Sequence, residues 1–287
     1  MRLGFHLSIA GGLTRALEEA RVLGCEALQI FVQNPRSWTE RCHPPEEVRE
    51  FIVFRRGLGL GPLAVHLSYL PNLAAAEPGL YQRSRARLAL ELELARDLEA
   101  DFLVAHPGHG EPGAGSFRRV AAALAAAVHR VGGPPPLMLL ENTAGQGREL
   151  GWRPEQLAEI GALSRVPVGI CLDTAHAFGA GYDLRSAAGV EALLADLALG
   201  PGLEAVKMLH LNDSRTPLGS RRDRHMHLGQ GAIGLEGLRR FLSHPWLKVP
   251  AAIMETPRRH LLDDRVNLAV ARSLVAGAPA LPPGVDS

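Results

Sequence analysis

Cysteine is scarce. Cys25, Cys42 and Cys171 are the only three in 287 residues, widely spaced and without a CxxC pair, which excludes a disulfide framework and a thiolate metal site. These thiols read as buried or inert. Lysine is nearly absent, with only Lys207 and Lys248, and the formal net charge is +1. A protein held to nucleic acid by bulk positive charge is thereby excluded, and any such contact must come from local patches. The strongest patch is Arg215, Arg221, Arg222 and Arg224. Long apolar runs are also missing. No stretch approaches the ~20 residues of a membrane span, and the opening LGFHLSIAGG turns polar and Gly-rich too early for a signal-peptide core. The chain is expected to be cytoplasmic.

What is present is a large soluble core. Hydrophobic residues make up 46% and charged residues 21%, values that exclude a mostly disordered chain. Short β-rich apolar runs alternate with stretches of helical period, the pattern of βα units around a parallel sheet. Eight runs are predicted as strands: 3–8, 27–32, 63–67, 102–106, 137–141, 168–173, 205–211 and 251–255. Helical periodicity covers 13–23, 81–99, 117–130, 154–163, 187–199, 235–243 and 264–276. Eight units close a barrel, and the length suits the ~250 residues of a (β/α)8 TIM barrel with modest loops. The expectation is one α/β catalytic domain over 1–277, followed by a flexible Pro/Gly-rich tail at 278–287.

In such a barrel the active site lies at the C-terminal ends of the strands. Metal-binding side chains recur there. His66, His106, Glu141, Asp173 and Glu255 end strand runs, and His210 lies near the end of another. His176 follows in DTAH, and Asp223 and His225 lie in RRDRHMH. These five histidines and four carboxylates suit Zn²⁺ or Mn²⁺ in a hydrolytic site. A zinc that keeps one position open takes about three protein ligands, so nine candidates suggest a cluster of roughly three ions. Charge points the same way, because four buried carboxylates are costly unless neutralised. Three dications would leave the site near +2, attractive to a phosphodiester. His6, His109 and His227 are candidates for orienting the ligands, and Asp213 for orienting His210, contacting substrate or capping its turn. His129, His244 and His260 read as helix or loop-surface residues.

The segments HLSIAGG (6–12), VHLSYLPNLA (65–74), HPGHG (106–110), ENTAGQG (141–147), CLDTAHAFGAGYD (171–183), HLNDS (210–214), DRHMHLGQGAIG (223–234) and METP (254–257) follow one another in this order. With them the chain resembles the endonuclease IV family of apurinic/apyrimidinic endonucleases over essentially the whole barrel. The resemblance implies a trinuclear zinc site, with Mn²⁺ possible at one or more positions. His66, His106 and Glu141 would hold the first ion, with Glu141 bridging to a second held by Asp173, His210 and Glu255. His176, Asp223 and His225 would hold the third. Glu141 and Glu255 would be catalytic through the metal-activated hydroxide that attacks phosphorus. The implied reaction cuts duplex DNA 5′ to abasic sites in base excision repair, leaving a 3′-hydroxyl and a 5′-deoxyribose phosphate. Arg36, Tyr69 and Leu70 would enter the duplex from barrel-mouth loops, although Pro35 and Ser37 flank Arg36 where some relatives carry longer amide side chains. Family membership also implies action as a monomer without an obligate protein partner. A sugar isomerase or epimerase on a related barrel would share Glu141, Asp173, His210 and Glu255 but has no need of a third metal set. A noncatalytic binder of damaged DNA would use closed, Cys-rich structural sites instead.

Overall fold

The computed structural model describes residues 1–277. The tail expected at 278–287 lies outside the described residues. Eight parallel strands close a barrel: β1 (Arg2–Leu7), β2 (Ala27–Ile30), β3 (Leu63–His66), β4 (Phe102–Ala105), β5 (Leu137–Glu141), β6 (Val168–Asp173), β7 (Val206–His210) and β10 (Ala251–Met254). Between β7 and β10 a two-stranded antiparallel ribbon, β8 (Asp213–Ser214) with β9 (His225–Met226), projects from the mouth. Seven predicted runs contain a barrel strand and the first, 3–8, overlaps β1 one residue late, while β1 pairs with β10 to complete the circle.

The outer layer holds α1 (Leu13–Leu23), α2 (Pro45–Gly57), α3 (Pro78–Asp97), α4 (Ala114–Arg130), α5 (Pro154–Ser164), α7 (Ala187–Leu199), α8 (Gly234–Leu242) and α9 (Leu261–Val275), while the short α6 (Thr174–Ala180) follows β6 directly. Two of these helices, α2 and α6, are absent from the helical stretches read above. Helix α2 fully buries only Phe51, so its apolar stripe is weak. Helix α6 is two turns long and is started by Asp173, whose side chain accepts from the His176 backbone N–H.

Alternation along the strands sorts side chains into two layers. One set packs outward against the helices. The other, Ala27, Ala64, Val104, Leu139, Cys171, Met208, Ala251 and Ile253, forms a separate buried cluster filling the barrel. β1 contributes Gly4 at this level, where a Cβ would collide with the Ala27 carbonyl. The next inward-facing position is two residues on along each strand. Gln29, His66, His106, Glu141, Asp173, His210 and Glu255 each stand two residues after a member of that plug, and His6 two after Gly4. A polar ring therefore caps an apolar plug because the same strand faces continue upward.

Candidate metal centre

Glu141 sits at the middle of this ring and is fully buried. Its Oε2 faces His66 Nε2 at 3.1 Å and His106 Nε2 at 2.9 Å. Its Oε1 faces His210 Nδ1 at 2.9 Å and His176 Nδ1 at 3.2 Å. Around His210 Nδ1 gather Glu255 Oε2 at 3.3 Å and Asp173 Oδ2 at 4.0 Å. Three potential metal groups result: His66–His106–Glu141, Glu141–Asp173–His210–Glu255, and Asp173–His176–His225. Asp223 stands beside the last, its Oδ1 3.3 Å from His176 Nε2 and 3.4 Å from His225 Nε2. Ribbon strand β9 delivers His225, and α6 delivers His176.

The imidazoles are held in defined tautomers. His66 Nδ1 points at the Leu67 carbonyl (2.7 Å), His176 Nδ1 at the Asn142 carbonyl (2.9 Å) and His225 Nδ1 at the Glu255 carbonyl (3.2 Å). A carbonyl only accepts, so Nδ1 carries a proton and, in the neutral ring that binds a metal, the Nε2 lone pair faces the carboxylates. His210 is reversed. Its Nε2 meets Gln29 Oε1 at 2.9 Å, which leaves Nδ1 for the centre. The Nε2 atoms of His176 and His225 are buried without a hydrogen-bond partner. They look across 3.3 to 3.5 Å at carboxylate oxygens of Asp223 and Asp173. Lone pairs facing each other across such gaps call for a cation between them, so the donor set fits divalent metals.

Electrostatics agree. Burial opposes charge on Glu141, yet His210 and His106 hold its carboxyl well below the usual carboxylate range. Burial likewise opposes charge on His176, and Asp173, Asp223 and Glu141 still raise it well above its ordinary value. Asp223 and Glu255 are depressed against their burial, by His176 and by His210 respectively. The geometry favours dense positive charge among four carboxylates.

Of the orienting candidates, His6 reaches the site, with Nδ1 2.8 Å from Glu255 Oε1. Gln29 lies beyond the sequence reading altogether. Its Nε2 donates to Glu255 Oε1 at 2.9 Å while its Oε1 meets His210. Asn212 and Asn142 are further supports. Asn212 Nδ2 donates to Asp173 Oδ2 at 2.7 Å and its Oδ1 accepts from the Glu255 backbone N–H at 2.8 Å. Asn142 Oδ1 accepts from the Asp173 backbone N–H at 2.7 Å. His109 and His227 are not brought to the centre. His109 is exposed beside Glu149, and His227 meets Asn267 of α9. Asp213 does not touch His210. Its carboxylate accepts from the backbone N–H groups of Ser214, Gly229, Gly231, Ile233 and Gly234, the turn-capping alternative. His129, His244 and His260 lie on helices or loops away from the centre. Among the thiols, Cys171 is buried in the barrel plug and Cys42 is exposed. Burial pushes both Cys25 and Cys171 up to about 12.

The mouth above the metal groups is a cavity of about 820 Å³ lined by His6, Phe31, Pro35, Tyr69, Asp223, His225 and Glu255 among others. Tyr69 is 55% exposed and its ring meets Phe31 edge-on at 5.1 Å. Arg36 is exposed and Leu70 half-buried, and the Tyr69 backbone N–H donates to the Pro35 carbonyl at 3.0 Å, joining their loops. Arg215, Arg221, Arg222 and Arg224 are all exposed near β8 and β9, beside Asp223 and His225.

Residues 17–275 match the family model described as a xylose isomerase-like TIM barrel. A relative named probable endonuclease 4 from Chloroflexus aurantiacus is 42% identical over 285 residues, covering 96% of this chain and 99% of its own length. The crystal structure of endonuclease IV from Thermus thermophilus superposes with a TM-score of 0.88 at 44% identity, covering 97% of this chain and 100% of that one. A D-tagatose 3-epimerase-like protein, 19% identical with a TM-score of 0.71 over 96% of this chain and 97% of its own, shares the fold.

Proposed function

Because the chain belongs to the endonuclease IV family, a set of metal-dependent DNA-repair endonucleases within the xylose isomerase-like TIM barrels, we propose that it hydrolyses the phosphodiester bond 5′ to abasic sites in duplex DNA, leaving a 3′-hydroxyl and a 5′-deoxyribose phosphate. The observation that carries this reading is the division of Glu141. One oxygen faces Nε2 of His66 and His106 while the other faces Nδ1 of His210, so a single carboxylate belongs to two adjoining metal groups. Three ions are proposed, Zn²⁺ with Mn²⁺ possible. The first is held by His66, His106 and Glu141, the second by Glu141, Asp173, His210 and Glu255, and the third by His176, Asp223 and His225, with Asp173 bordering this last set. When bound, such ions supply a nucleophilic water near neutral pH and positive charge for the phosphate oxygens.

The chain's own residues position the rest. Glu141 and Glu255 are the catalytic carboxylates, and His6 and Gln29 fix the direction in which Glu255 presents its oxygens. Arg36, Tyr69 and Leu70 enter the duplex at the lesion. An abasic nucleotide has no base to unstack, which lowers the penalty of extruding it. The exposed arginines beside the third group contact backbone phosphates, consistent with a net charge of only +1. The protein acts as a cytoplasmic monomer in base excision repair. No helix among the described residues is long and apolar enough to cross a membrane. Asp223 and His225, a set that a one- or two-metal epimerase has no use for, weigh against sugar isomerisation.

The test is incision of a labelled duplex carrying one abasic-site analogue, beside an undamaged duplex and a chelator-treated sample. A single metal-dependent cut 5′ to the lesion is expected. No cut by folded, metal-loaded protein would overturn the reading.

A further inference from the structure

Helix α3 buries an Arg–Glu pair that belongs to none of the metal groups. Arg87 and Glu91, one turn apart, have side chains only 2% and 0% exposed, with Arg87 Nη1 3.8 Å from Glu91 Oε1. A buried pair of this kind adds little stability over apolar residues of the same volume, so its directional contacts are the informative feature. Those contacts diverge. Arg87 Nη1 donates to Gln33 Oε1 at 3.2 Å, and Nη2 donates to the Trp38 carbonyl at 2.6 Å. Gln33 in turn closes the legs of its loop, donating to the Arg41 carbonyl at 2.8 Å and accepting from the Arg41 backbone N–H at 2.7 Å. Glu91 turns the other way. Its Oε2 accepts from the Ser68 backbone N–H at 3.1 Å, and its Oε1 accepts from the Ser68 hydroxyl. Ser68 immediately precedes Tyr69 and Leu70.

We propose that Arg87 and Glu91 are positioning residues for lesion recognition: from one face of α3 they tie the loop carrying Arg36 to the loop carrying Tyr69 and Leu70, so that both meet the duplex as one preformed unit. This rests on the reading that these loops contact DNA. Both side chains are buried, so neither is open to a substrate. They act by removing the need to order loop side chains on each binding event, which otherwise weakens affinity. The effect belongs in KM, because the metal groups hang on the strand ends and on α6 and β9, not on α3.

The experiment measures KM and kcat on the abasic-analogue duplex, with metal content and Tm determined on the same preparations. The double variant R87M/E91M removes the link without stranding a buried charge. Its KM is expected to rise roughly thirtyfold, the effect of re-ordering two or three side chains, while kcat stays within about threefold and metal content matches wild type. R87K is expected to show a similar rise, because one ammonium does not reproduce the guanidinium fork. E91Q is expected to rescue KM to within about threefold of wild type, at a lower Tm, because its amide oxygen still accepts from Ser68 N–H while the buried Arg87 charge loses its partner. If the double variant fails to fold, the contrast between R87K and E91Q decides. A wild-type KM in R87M/E91M or R87K, or a loss that falls on kcat together with metal content, would overturn the proposal. Failure of the wild-type protein to cut the duplex would instead refute the endonuclease reading.

Discussion

Replacing Gln29 with leucine tests the support of the metal centre. Gln29 is fully buried, with Oε1 2.9 Å from His210 Nε2 and Nε2 2.9 Å from Glu255 Oε1, so one side chain steers two members of the same potential metal group. Leucine of similar volume removes both contacts and leaves the His210 N–H buried without an acceptor. Such an orphan costs about 1–3 kcal/mol. Losing an outer-shell partner typically weakens metal affinity or activity by about 10–100-fold, and here two ligands lose one each, so the upper end, about a hundredfold, is expected. Competition with a chromophoric chelator measures the affinity, and incision of the abasic duplex at limiting and at saturating metal separates occupancy from chemistry. Q29L should lose activity at limiting metal and recover much of it at saturation. Q29E supplies a control, because it keeps an acceptor for His210 but sets a carboxylate against Glu255, and it should bind metal worse than wild type as well. A Q29L protein that holds its metals as tightly as wild type and incises at the wild-type rate under limiting metal would refute the reasoning.

Chelation should lower Tm as well as abolish incision, since the proposed ions would join side chains from β3, β5, β6 and β7. Re-addition of Zn²⁺ should restore both, and an unchanged Tm in metal-free protein would contradict a centre that links the strands. The E141A variant should lose at least about a thousandfold in kcat together with metal stoichiometry, because two groups share that carboxylate; near-normal metal content by elemental analysis would count against sharing. Burial, opposed by Ser68 and Arg87, pushes the Glu91 carboxyl from 4.5 up to about 7. A carboxyl raised in the folded state stabilises most below its unfolded value, so this contribution is lost as pH rises from about 4.5 to about 7 and is flat above. Wild type should therefore lose about 2 kcal/mol relative to E91Q between pH ~5.5 and ~7.5, and parallel unfolding curves would refute it. The D213A variant strips the shared acceptor from five loop N–H groups and should destabilise by about 2–4 kcal/mol in urea unfolding; a change below ~0.5 kcal/mol would show the loop to be held otherwise.

Much of this was legible from residue order alone. The strands declare themselves as short apolar runs, and in six of the eight a metal-binding side chain at or near the C-terminal end, from His66 to Glu255, belongs to the ring. Gln29 and His6 had the same signal in a quieter form, a polar side chain at the inward-facing register of β2 and β1, two residues beyond the plug. Metal-binding types draw the eye and a glutamine does not, while His6 lies 249 residues from its carboxylate partner. Helix α2 escaped because it covers the barrel through little more than Phe51, and the β8–β9 ribbon because two-residue strands leave no periodicity to read. The roles of Arg87 and Glu91 were hidden for a different reason. On a helix they look like an ordinary i,i+4 surface pair, and only the fold reveals that solvent never reaches them.

Three of the five histidines owe their proton position to main-chain carbonyls, at Leu67, Asn142 and Glu255, whereas His210 owes its own to the side chain of Gln29. Mutation acts on side chains and leaves carbonyls in place. The tautomers of His66, His176 and His225 are thus inherited with the backbone, and sequence drift around them cannot reverse a ring without unmaking a strand or a helix start. Position 29 is the exception, a single codon on which the chemistry of one ligand depends, and so the place where a descendant of this barrel would most readily abandon or retune its metals.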